Sequence, residues 1–574
     1  MPLVTFIDEG IEIEVKEGIK LSDCIRKAGL KIEMPCSGRG KCGKCKVEVF
    51  GDLYPKSNKE AEHAKKDNIR IACMAKVKGH IQVKLLGKSK KLKTINNEKS
   101  VDIQVDSSIK RIKLLEINEK SNFPYKDSLV YKVNNINLLR TIGILERKEA
   151  KEIYGVLYKD KLLDIREKLN GILGVAVDIG TTGVSAHLID LESGEVVNKI
   201  SGLNPQTEFG ADILSRITFS MEQKDGIDIL SKCIREKIDL MIKELIEEKF
   251  HIKDVYRVAI AANTTMLHLL LGTPADTIAN APYRPVFLDK LNVKASELGI
   301  HINTEGIVTI LPSASAYIGA DVIAGIMAVD FHKKQYPSIF IDIGTNGEIV
   351  ALYNGRIVAS STASGPALEG VNIECGMRAE EGAIDTFGID DDYNVKYSTI
   401  GNETAKGICG SGIIDIVTNL LKHNVILTDG KFNNQLPQKL EEKIKDKKFY
   451  VSEEIYISQK DIREIQLAKG AVATGINMLL KEISCSIDKV QEVIISGVFG
   501  YHINPESIKI IGLIPKEFSG KISFVGNSSV EGARIALIND KKLKLMSDIK
   551  KHIKILELSM REDYQENLIK SLNF

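Results

Sequence analysis

An internal repeat constrains the fold of this chain more than any other feature of its sequence. The stretch VAVDIGTTG at residues 175–183 returns as IFIDIGTNG at residues 339–347. Each copy reads as an apolar strand that ends in Asp-Ile-Gly-Thr, and each is followed by a second strand, a turn and a third strand. A matched unit of this kind predicts a duplicated α/β fold with two related lobes.

Both repeat loops contain the residue types that bind phosphate. Glycine lets backbone N–H groups approach phosphate oxygens without an interfering Cβ, and Thr and Asn side chains add further donors. The candidate phosphate-binding residues are Gly180, Thr181, Thr182, Gly183, Gly344, Thr345, Asn346 and Gly347. We expect Asp178 and Asp342 to face each other across a cleft, to hold Mg2+ through water and to be the catalytic residues.

A third glycine-marked turn follows an apolar strand near the C-terminal end of the chain. The stretch EVIISGVFG at residues 492–500 runs from this strand into Gly497 and Gly500. Bare backbone at the end of a buried strand suits the adenine or ribose of a nucleotide. We therefore predict that these two glycines bind the nucleoside part of ATP.

A cysteine-rich loop near the N-terminus carries a separate chemistry. Four of the nine cysteines lie close together: Cys36, Cys42 and Cys45 in PCSGRGKCGKC, with the spacing C-x5-C-x2-C, and Cys73. A four-thiolate zinc site, a disulfide pair and an iron–sulfur cluster are the three alternatives. Structural zinc sites usually combine two separated C-x2-4-C pairs, and only one such pair is present. The glycines between the cysteines favour a [2Fe–2S] cluster, whose sulfides need backbone N–H donors, and zinc is the main alternative.

The flanks of this loop have the pattern of a small β-grasp domain. Alternating residues predict a hairpin near the N-terminus, and KLSDCIRKAGL predicts a short helix with Ser22 as its N-cap and Gly29 as its stop. Two more strands are predicted around the fourth cysteine. Residues 1–86 thus resemble [2Fe–2S] ferredoxins.

Two segments separate this domain from the repeat. Residues 87–98 are rich in lysine and lack an apolar period, which predicts a flexible linker. Residues 99–170 predict a small middle domain, with strands at VDIQV and RIKLLEI and helical stretches between residues 146 and 169. No chemical motif occurs in this middle domain.

Composition excludes several classes of protein. At 574 residues the chain is long enough for two to four domains, and its net charge of +2 argues against bulk attraction to nucleic acid. An apolar run of 18 residues, which a membrane span would need, does not occur, nor does the pattern of a signal peptide. A cytoplasmic protein is therefore expected.

Residues 171–574 resemble the superfamily of acetate and sugar kinases, heat-shock chaperone ATPases and actin (ASKHA). Four phrases are similar to a single branch, the reductive activators of corrinoid proteins: TASGPALEGVNIECGMRAEEGAI, GICGSGIIDIV, IQLAKGAVATGI and ISGVFGYHIN. That family joins a [2Fe–2S] domain, a linker, a middle domain and this ATPase domain in the same order. The resemblance covers essentially the whole chain.

This resemblance implies an activity. It implies ATP-dependent return of an inactive Co(II) corrinoid (cobalamin-type) methyl-transfer protein to Co(I), with electrons from an upstream low-potential donor. It also implies a homodimer formed through the ATPase domains, with no nucleic acid and no membrane as partner.

Three rival functions use similar parts. An ATP-dependent activator of a radical dehydratase would share a [4Fe–4S] cluster between subunits and lack a ferredoxin domain. A small-molecule kinase with an attached redox domain would need a general-base carboxylate between the two repeat loops, and no such residue is identifiable from the sequence. A pure electron carrier with a degenerate ATPase is disfavoured because Asp178 and Asp342 are intact.

Overall fold

The computed structural model describes most of the chain: residues 1–30, 32, 34, 38, 40, 43, 45–86, 103–114, 135–148, 152–246, 249–497 and 503–574. The predictions for Cys36, Cys42, Gly500 and the linker 87–98 concern residues outside these ranges. None of the helices in the described ranges is both long and apolar enough to cross a membrane.

The N-terminal domain is a five-stranded sheet with two short helices. The strand order is β2-β1-β5-β3-β4, with β1 parallel to β5 and the other neighbours antiparallel. Its elements are β1 (Leu3–Phe6), β2 (Ile11–Glu14), α1 (Leu21–Lys27), β3 (Lys46–Leu53), α2 (Asn58–His63), β4 (Ile69–Ile71) and β5 (Val77–Leu85). The β-grasp prediction for this region is confirmed.

The predicted N-cap of the first helix is wrong. Helix α1 begins at Leu21, so Ser22 lies in its first turn, where it is buried. The N–H groups of Leu21 and Ser22 donate instead to the carbonyls of Ala75 (2.9 Å) and Ala72 (2.9 Å). The turn that carries Cys73 thus caps the helix, which fixes α1 to the cluster region without a side-chain cap.

The middle segment contains more strand than the sequence indicates. It forms a three-stranded antiparallel sheet, β6-β7-β8, with one helix: β6 (Ile109–Leu114), α3 (Ile136–Arg147), β7 (Ile153–Tyr158) and β8 (Lys161–Arg166). The helical prediction for residues 146–169 is therefore wrong over residues 152–169. Lys159, with φ of +55°, and Asp160 make a tight turn between β7 and β8. The run of charged residues in this segment gave no sign of that turn. The predicted strand at VDIQV is also wrong, since residues 103–105 are not in a strand.

Ion pairs and a hydrogen bond fasten this middle sheet to the domain that follows it. Arg166 pairs with Asp254 at 2.6 Å, and Lys161 pairs with Glu305 at 2.5 Å. The hydroxyl of Tyr256 also donates to the carboxylate of Asp164 at 2.8 Å.

The first lobe of the repeat domain, lobe I, is built on a six-stranded sheet in the order β11-β10-β9-β12-β14-β13. Its elements are β9 (Leu173–Ile179), β10 (Gly183–Asp190), β11 (Val196–Leu203), α4 (Ile213–Glu222), α5 (Gly226–Ile246), β12 (Val255–Ala262), α6 (Thr264–Leu270), α7 (Asp276–Ala279), β13 (Leu291–Lys294), β14 (Ile307–Ile310) and α8 (Ala320–Ala328).

The second lobe, lobe II, has a six-stranded sheet in the order β25-β24-β15-β16-β17-β26 and two small antiparallel or mixed sheets, β19-β18-β20 and β21-β22-β23. Its strands are β15 (Ser338–Ile343), β16 (Gly347–Tyr353), β17 (Arg356–Thr362), β18 (Ala383–Ile389), β19 (Val395–Thr399), β20 (Gly407–Ile408), β21 (Ile444–Lys445), β22 (Lys448–Tyr450), β23 (Tyr456–Ser458), β24 (Glu492–Ser496), β25 (Lys521–Gly526) and β26 (Ile553–Ile555). Its helices are α9 (Gly410–Lys422), α10 (Gln438–Glu441), α11 (Gln459–Glu482), α12 (Pro505–Ile510), α13 (Ser528–Ile538), α14 (Asp540–His552) and α15 (Tyr564–Leu572).

Five strands of each large sheet have the same topology, which confirms the duplication predicted from the repeat. The sixth strand differs, since β13 is antiparallel to β14 at one edge and β26 is parallel to β17 at the other. In each lobe three strands form an antiparallel meander that begins with the Asp-Ile-Gly-Thr strand, and two later strands are added in parallel on the other side of that first strand. Since both repeat strands are central, they are buried on both faces, as their continuous apolar sequences require.

Helix α13 links the lobes. It follows β25 of lobe II, yet it packs against β9 and β12 of lobe I and against α8. Helices α13 and α8 approach so closely that a Cβ on Gly532 of α13 would lie 2.2 Å from the carbonyl oxygen of Ala324 of α8. The start of α13 is thereby placed beside the first repeat loop.

Candidate nucleotide site and cluster loop

Three successive carbonyl groups of the first repeat loop accept hydrogen bonds from residues of lobe I. The carbonyl of Gly180 accepts a hydrogen bond from Nδ2 of Asn204 at 2.8 Å, and that of Thr182 accepts from the backbone N–H of Asn204 at 2.9 Å. The carbonyl of Thr181 accepts from the guanidinium of Arg216. Because N–H and C=O point in opposite directions across a trans peptide, the N–H groups of Thr181 and Thr182 face away from Asn204 and Arg216. Such a row of N–H groups suits an anion.

The second repeat loop comes close to the first. The hydroxyl oxygens of Thr182 and Thr345 are 3.5 Å apart, and Thr182 also donates to the carboxylate of Glu369 at 3.4 Å. Gly344 lies close to the same carboxylate, because a Cβ there would be a tight 3.2 Å from Oε1 of Glu369. The structure therefore brings the two predicted phosphate loops together.

Both predicted catalytic aspartates have defined neighbours. Oδ2 of Asp178 accepts a hydrogen bond from Nδ2 of Asn527, the residue that caps α13, at 2.8 Å. Asp342 lies directly opposite Glu348 in the β15–β16 pair and beside Ser496 in the β15–β24 pair. Each aspartate is thus fixed at the end of a central strand by contacts from neighbouring elements.

A fourth carboxylate, Asp321 in the first turn of α8, completes an acidic group with Asp178, Asp342 and Glu348. Loss of hydration raises the pKa of Asp342 to about 6 and that of Asp321 to about 8, where the charges of Asp342 and Asp178 add to the effect. The pKa of Glu348 is raised well above its usual value, first by loss of hydration and then by Asp321 and Asp342. Such mutual repulsion would be relieved by a divalent cation, so the residues present fit Mg2+.

The spacing of these carboxylates favours a Mg2+ ion that keeps its water ligands. Among the described residues, no three His, Cys, Asp or Glu side chains are close enough together to be direct ligands of one metal ion. Mg2+ dehydrates reluctantly and usually keeps several waters in a protein site. The arrangement of the carboxylates is consistent with contact through water.

Sequence reasoning missed four residues of this cleft: Asp321, Glu348, Glu369 and Asn527. The structure also places a carboxylate, Glu369, between the two loops, where none is identifiable from the sequence. Glu348 had a detectable signal, since it is the one charged residue in the strand GEIVALY. The other three are brought to the cleft by elements distant in sequence, so no local pattern identifies them.

Gly497 lies at the end of β24, as the sequence predicts. Its positive φ is explained by close packing against the end of β15. Its φ is +128°, its N–H donates to the carbonyl of Gly526 at 3.0 Å, and a Cβ would lie 2.5 Å from the carbonyl oxygen of Ile343. Only glycine fits so close to the end of β15. Its contact with the nucleoside stays a prediction.

The described part of the cysteine-rich loop forms a tight cradle. Cys45 and Cys73 are both buried, and the N–H of Ala72 donates to the carbonyl of Cys45 at 2.8 Å, which holds the two cysteine-bearing segments side by side. Gly40 and Gly43 have φ of +69° and +62°, and a Cβ on either would lie less than 3.0 Å from a neighbouring side chain. This requirement for glycine fits a loop that wraps closely around a [2Fe–2S] cluster.

Comparisons with known proteins agree with this organisation. Three family models match the chain: a "2Fe-2S iron-sulfur cluster binding domain" over residues 4–78, the "RACo middle region" over residues 173–334, and the "C-terminal domain of RACo the ASKHA domain" over residues 336–574. The region that the second model describes is lobe I, whereas the small sheet of residues 109–166 lies ahead of it.

Two characterised relatives and one solved structure extend the likeness over most of the chain. The "Corrinoid activation enzyme RamQ" of Eubacterium limosum is 28% identical over 98% of this chain and 97% of its own length. The "[Co(II) methylated amine-specific corrinoid protein] reductase" of Methanosarcina barkeri is 27% identical over 67% of this chain and 74% of its own. A solved "Reductive activator for corrinoid,iron-sulfur protein" is 28% identical, covers 100% of this chain and 98% of its own, and has a TM-score of 0.75. The chain belongs to the RACo family, in which a [2Fe–2S] domain is fused to an ASKHA domain.

Proposed function

We propose that this protein is an ATP-dependent reductive activator of a corrinoid methyl-transfer protein. The N-terminal domain would hold a [2Fe–2S] cluster through its cysteines, and this cluster would supply one-electron redox chemistry. The overall reaction would take one electron from an upstream low-potential donor, convert Co(II) in the corrinoid of the partner to Co(I), and hydrolyse ATP to ADP and phosphate. The two relatives that are named as acting on corrinoid proteins support this assignment.

The observation that carries the proposal is the presence of a candidate cluster loop and a candidate nucleotide site in one chain. A glycine-dependent cysteine cradle lies in the N-terminal domain, and two phosphate loops meet at Thr182 and Thr345 in the repeat domain. A ferredoxin alone needs no phosphate site, and a kinase alone needs no cluster. Their fusion suggests that nucleotide hydrolysis serves electron transfer.

In the N-terminal domain we assign four cluster ligands: Cys36, Cys42, Cys45 and Cys73. The cluster, when bound, supplies the one-electron redox chemistry. The chain itself fixes two of these ligands, because the hydrogen bond from Ala72 to the carbonyl of Cys45 joins β3 to the turn that carries Cys73. Glycines in the loop supply backbone donors without steric interference.

In the repeat domain we assign the nucleotide to the cleft between the lobes. The N–H groups of the first loop would bind phosphate, and Asp178 and Asp342 would hold Mg2+ through water. Glu369 and Thr345 would position the attacking water and the γ-phosphate, since they lie where the two loops meet. Gly497 and Gly500 would lie against the nucleoside.

Simple energetics explain why ATP is useful here. Reduction of Co(II) to Co(I) needs a very low potential, and for one electron about 59 mV corresponds to about 1.4 kcal/mol. A chain whose nucleotide states bind the two redox states of the partner differently by roughly 4 kcal/mol would shift the effective potential by about 170 mV. By linkage, the partner must then change the affinity of the chain for nucleotide.

The decisive experiment is reduction of a purified Co(II) corrinoid protein by the chemically reduced chain under anaerobic conditions. We expect the optical bands of Co(I) to appear with Mg-ATP and to be absent or much weaker without nucleotide or with non-hydrolysable AMPPNP. Equal reduction in all three conditions would refute a role for ATP.

The same assay separates the rival functions. A small-molecule kinase would hydrolyse or transfer phosphate in response to a metabolite and would ignore the corrinoid protein. An activator of a radical dehydratase would carry a [4Fe–4S] cluster, so iron and sulfide analysis of the purified chain distinguishes it from the two irons per chain expected here. Light scattering of the same sample tests the homodimer.

A further inference from the structure

We propose that the ferredoxin domain docks on residues 204–219 of lobe I with its cluster side inward, and that Mg-ATP in the first repeat loop tightens this docking. Residues 204–219 are called the docking segment below. The second half of the proposal rests on the proposed function, because it requires that the repeat domain binds ATP.

The docking contact is a cleft between the two domains. Its volume is about 460 Å³, and on the lobe I side it is lined by Glu208, Phe209 and Phe219. The guanidinium of Arg26, at the end of α1, lies 5.8 Å from the ring centroid of Phe209. A cation over an aromatic face at this distance is attractive. The ring of Phe219 supports that of Phe209, with centroids 4.9 Å apart.

The cluster side of the ferredoxin domain faces this cleft. Cys73, Gly38 and Met34 line it together with residues of α1. Helix α1 is fixed to the turn that carries Cys73, because its first N–H groups donate to the carbonyls of Ala72 and Ala75. A contact at Arg26 therefore orients the whole cluster end of the domain and not only one mobile side chain.

The other side of the docking segment contacts the first repeat loop. Asn204 and Arg216 donate to the three successive carbonyls of Gly180, Thr181 and Thr182, as described above. The docking segment thus contacts the ferredoxin domain and the first repeat loop within 16 residues, from position 204 to position 219.

The chemistry of Arg216 gives the direction of the coupling. This guanidinium is fully buried, and its hydrogen-bond acceptors are neutral atoms: the carbonyls of Gly210 and Thr181, Oε1 of Gln206 and Sδ of Met266. Phosphate on the far side of the loop would attract this cation and would polarise the intervening peptide groups, which strengthens their carbonyls as acceptors. Both effects hold the docking segment more firmly against the loop.

A firmer docking segment presents Phe209 in a fixed position, which favours contact with Arg26. Because coupling between two binding events is reciprocal, docking must raise nucleotide affinity by the same factor by which nucleotide raises docking. We therefore expect Arg26→Ala to weaken binding of Mg-AMPPNP by roughly threefold, although Arg26 lies in the ferredoxin domain.

The test is hydrogen–deuterium exchange of the full-length protein with its cluster, with and without Mg-AMPPNP and with no corrinoid protein present. In the wild type we expect AMPPNP to slow exchange in the docking segment and in α1. In Arg26→Ala and in Phe209→Leu the slowing in α1 should disappear, while the slowing in the docking segment remains. Lys27→Ala removes an equal charge from the neighbouring, exposed position and should behave as the wild type.

Two results would overturn the proposal. One is protection of the docking segment by AMPPNP with no change in α1 of the wild type. The other is protection of α1 that survives in Arg26→Ala and Phe209→Leu. Failure of the proposed function looks different: calorimetry would then detect no AMPPNP binding at all, or the chain would bind nucleotide and dock normally but fail to reduce a corrinoid protein.

Discussion

Thr182 and Thr345 place their hydroxyl oxygens 3.5 Å apart although 163 residues separate them in the sequence. One comes from each lobe: Thr345 directly follows Gly344 of its Asp-Ile-Gly-Thr motif, whereas Thr182 lies one position after the threonine of the first motif. The carboxylate of Glu369 lies within hydrogen-bonding distance of Thr182. The two halves of the repeat therefore contribute to a single site, and removing either half should disable it.

The first prediction concerns the paired aspartates. Asp178→Asn and Asp342→Asn should each lower kcat for ATP hydrolysis by about 100-fold or more, because each removes a charge that stabilises metal and phosphate in the transition state. Steady-state phosphate release with saturating Mg-ATP measures this loss.

The exposed Glu195, in the turn of the first repeat unit, provides a matched control. Glu195→Gln removes one negative charge from the turn between β10 and β11 and should leave kcat unchanged. Near-wild-type turnover in either aspartate variant would contradict the assignment of the catalytic pair.

The second prediction concerns Glu348, which lies directly across from Asp342. Glu348→Gln removes one of two facing carboxylates while keeping the hydrogen-bonding shape seen by Ser361. We expect the variant to need about tenfold more Mg2+ for half-maximal hydrolysis. In the absence of metal it should be more stable than the wild type at alkaline pH, where Glu348 loses its proton opposite Asp342 and the two like charges repel. A magnesium titration tests the expected Mg2+ requirement, and a melting curve in EDTA tests the expected stability without metal. A variant that is less stable without metal would count against an electrostatic role.

The sequence predicts the repeat unit well and the cleft only in part. The strands at Asp178 and Asp342 are predictable because a central strand must be apolar along its length and its loop must carry glycine. The position of Asn527 is not predictable, because it depends on α13 crossing from lobe II to lobe I. The hairpin at Lys159 is not predictable for a different reason: the segment from Lys159 to Arg166 is rich in charged residues, and its composition resembles that of an exposed helix.

The third prediction concerns pH. Burial raises the pKa of Asp342 to about 6 and that of Glu369 to about 7, while both carboxyls would titrate near pH 4 in the unfolded chain. The folded state thus holds more protons between pH 4 and 7, so its stability without metal should fall as pH rises through this range. Both side chains are partly exposed, so we expect the melting temperature to fall by only a few degrees.

Mg2+ should reverse this trend, because a divalent cation favours the ionised carboxylates. We therefore expect the stabilisation by Mg2+ to increase from pH 5.5 to pH 8, and to be smaller and flatter in Asp342→Asn. Melting curves in EDTA and in Mg2+ at several pH values provide the comparison. Stability that rises with pH in EDTA in the wild type, and equally in Asp342→Asn, would argue against titration of this group.

The fourth prediction concerns a buried ion pair beneath the cluster loop. Arg70 donates to Glu60 at 2.8 Å, both side chains are almost fully buried, and Glu60 also accepts the N–H of Ile71 at 3.1 Å. Because removing one partner leaves the other charge unpaired, Glu60→Gln should cost the ferredoxin domain about 3 kcal/mol or more.

Since Ile71 is close to Cys73 in the sequence, the same variant should lose its cluster faster when a chelator is added. The rate at which visible absorbance decays after addition of EDTA measures this. Glu62→Gln, at an exposed position of the same helix, should match the wild type. Equal rates of loss in Glu60→Gln and Glu62→Gln would show that the ion pair does not support the cluster loop.

The last prediction separates the two chemistries of the chain. Cys73→Ser replaces one proposed cluster ligand with a residue of similar size, in a domain that contains none of the phosphate loops. We expect reduction of the Co(II) corrinoid protein to be abolished, while Mg-ATP hydrolysis keeps at least half of its wild-type rate. Asp342→Asn should do the reverse: it should keep the absorbance of the [2Fe–2S] cluster and lose hydrolysis, and with it ATP-dependent reduction.

Cys24→Ser provides the control, since Cys24 is a buried thiol of the same domain outside the proposed ligand set. Because Cys24 packs in the core, its variant should lose some stability but keep the cluster spectrum at low temperature. Full corrinoid reduction by Cys73→Ser would remove Cys73 from the ligand set and with it the proposed route of the electron.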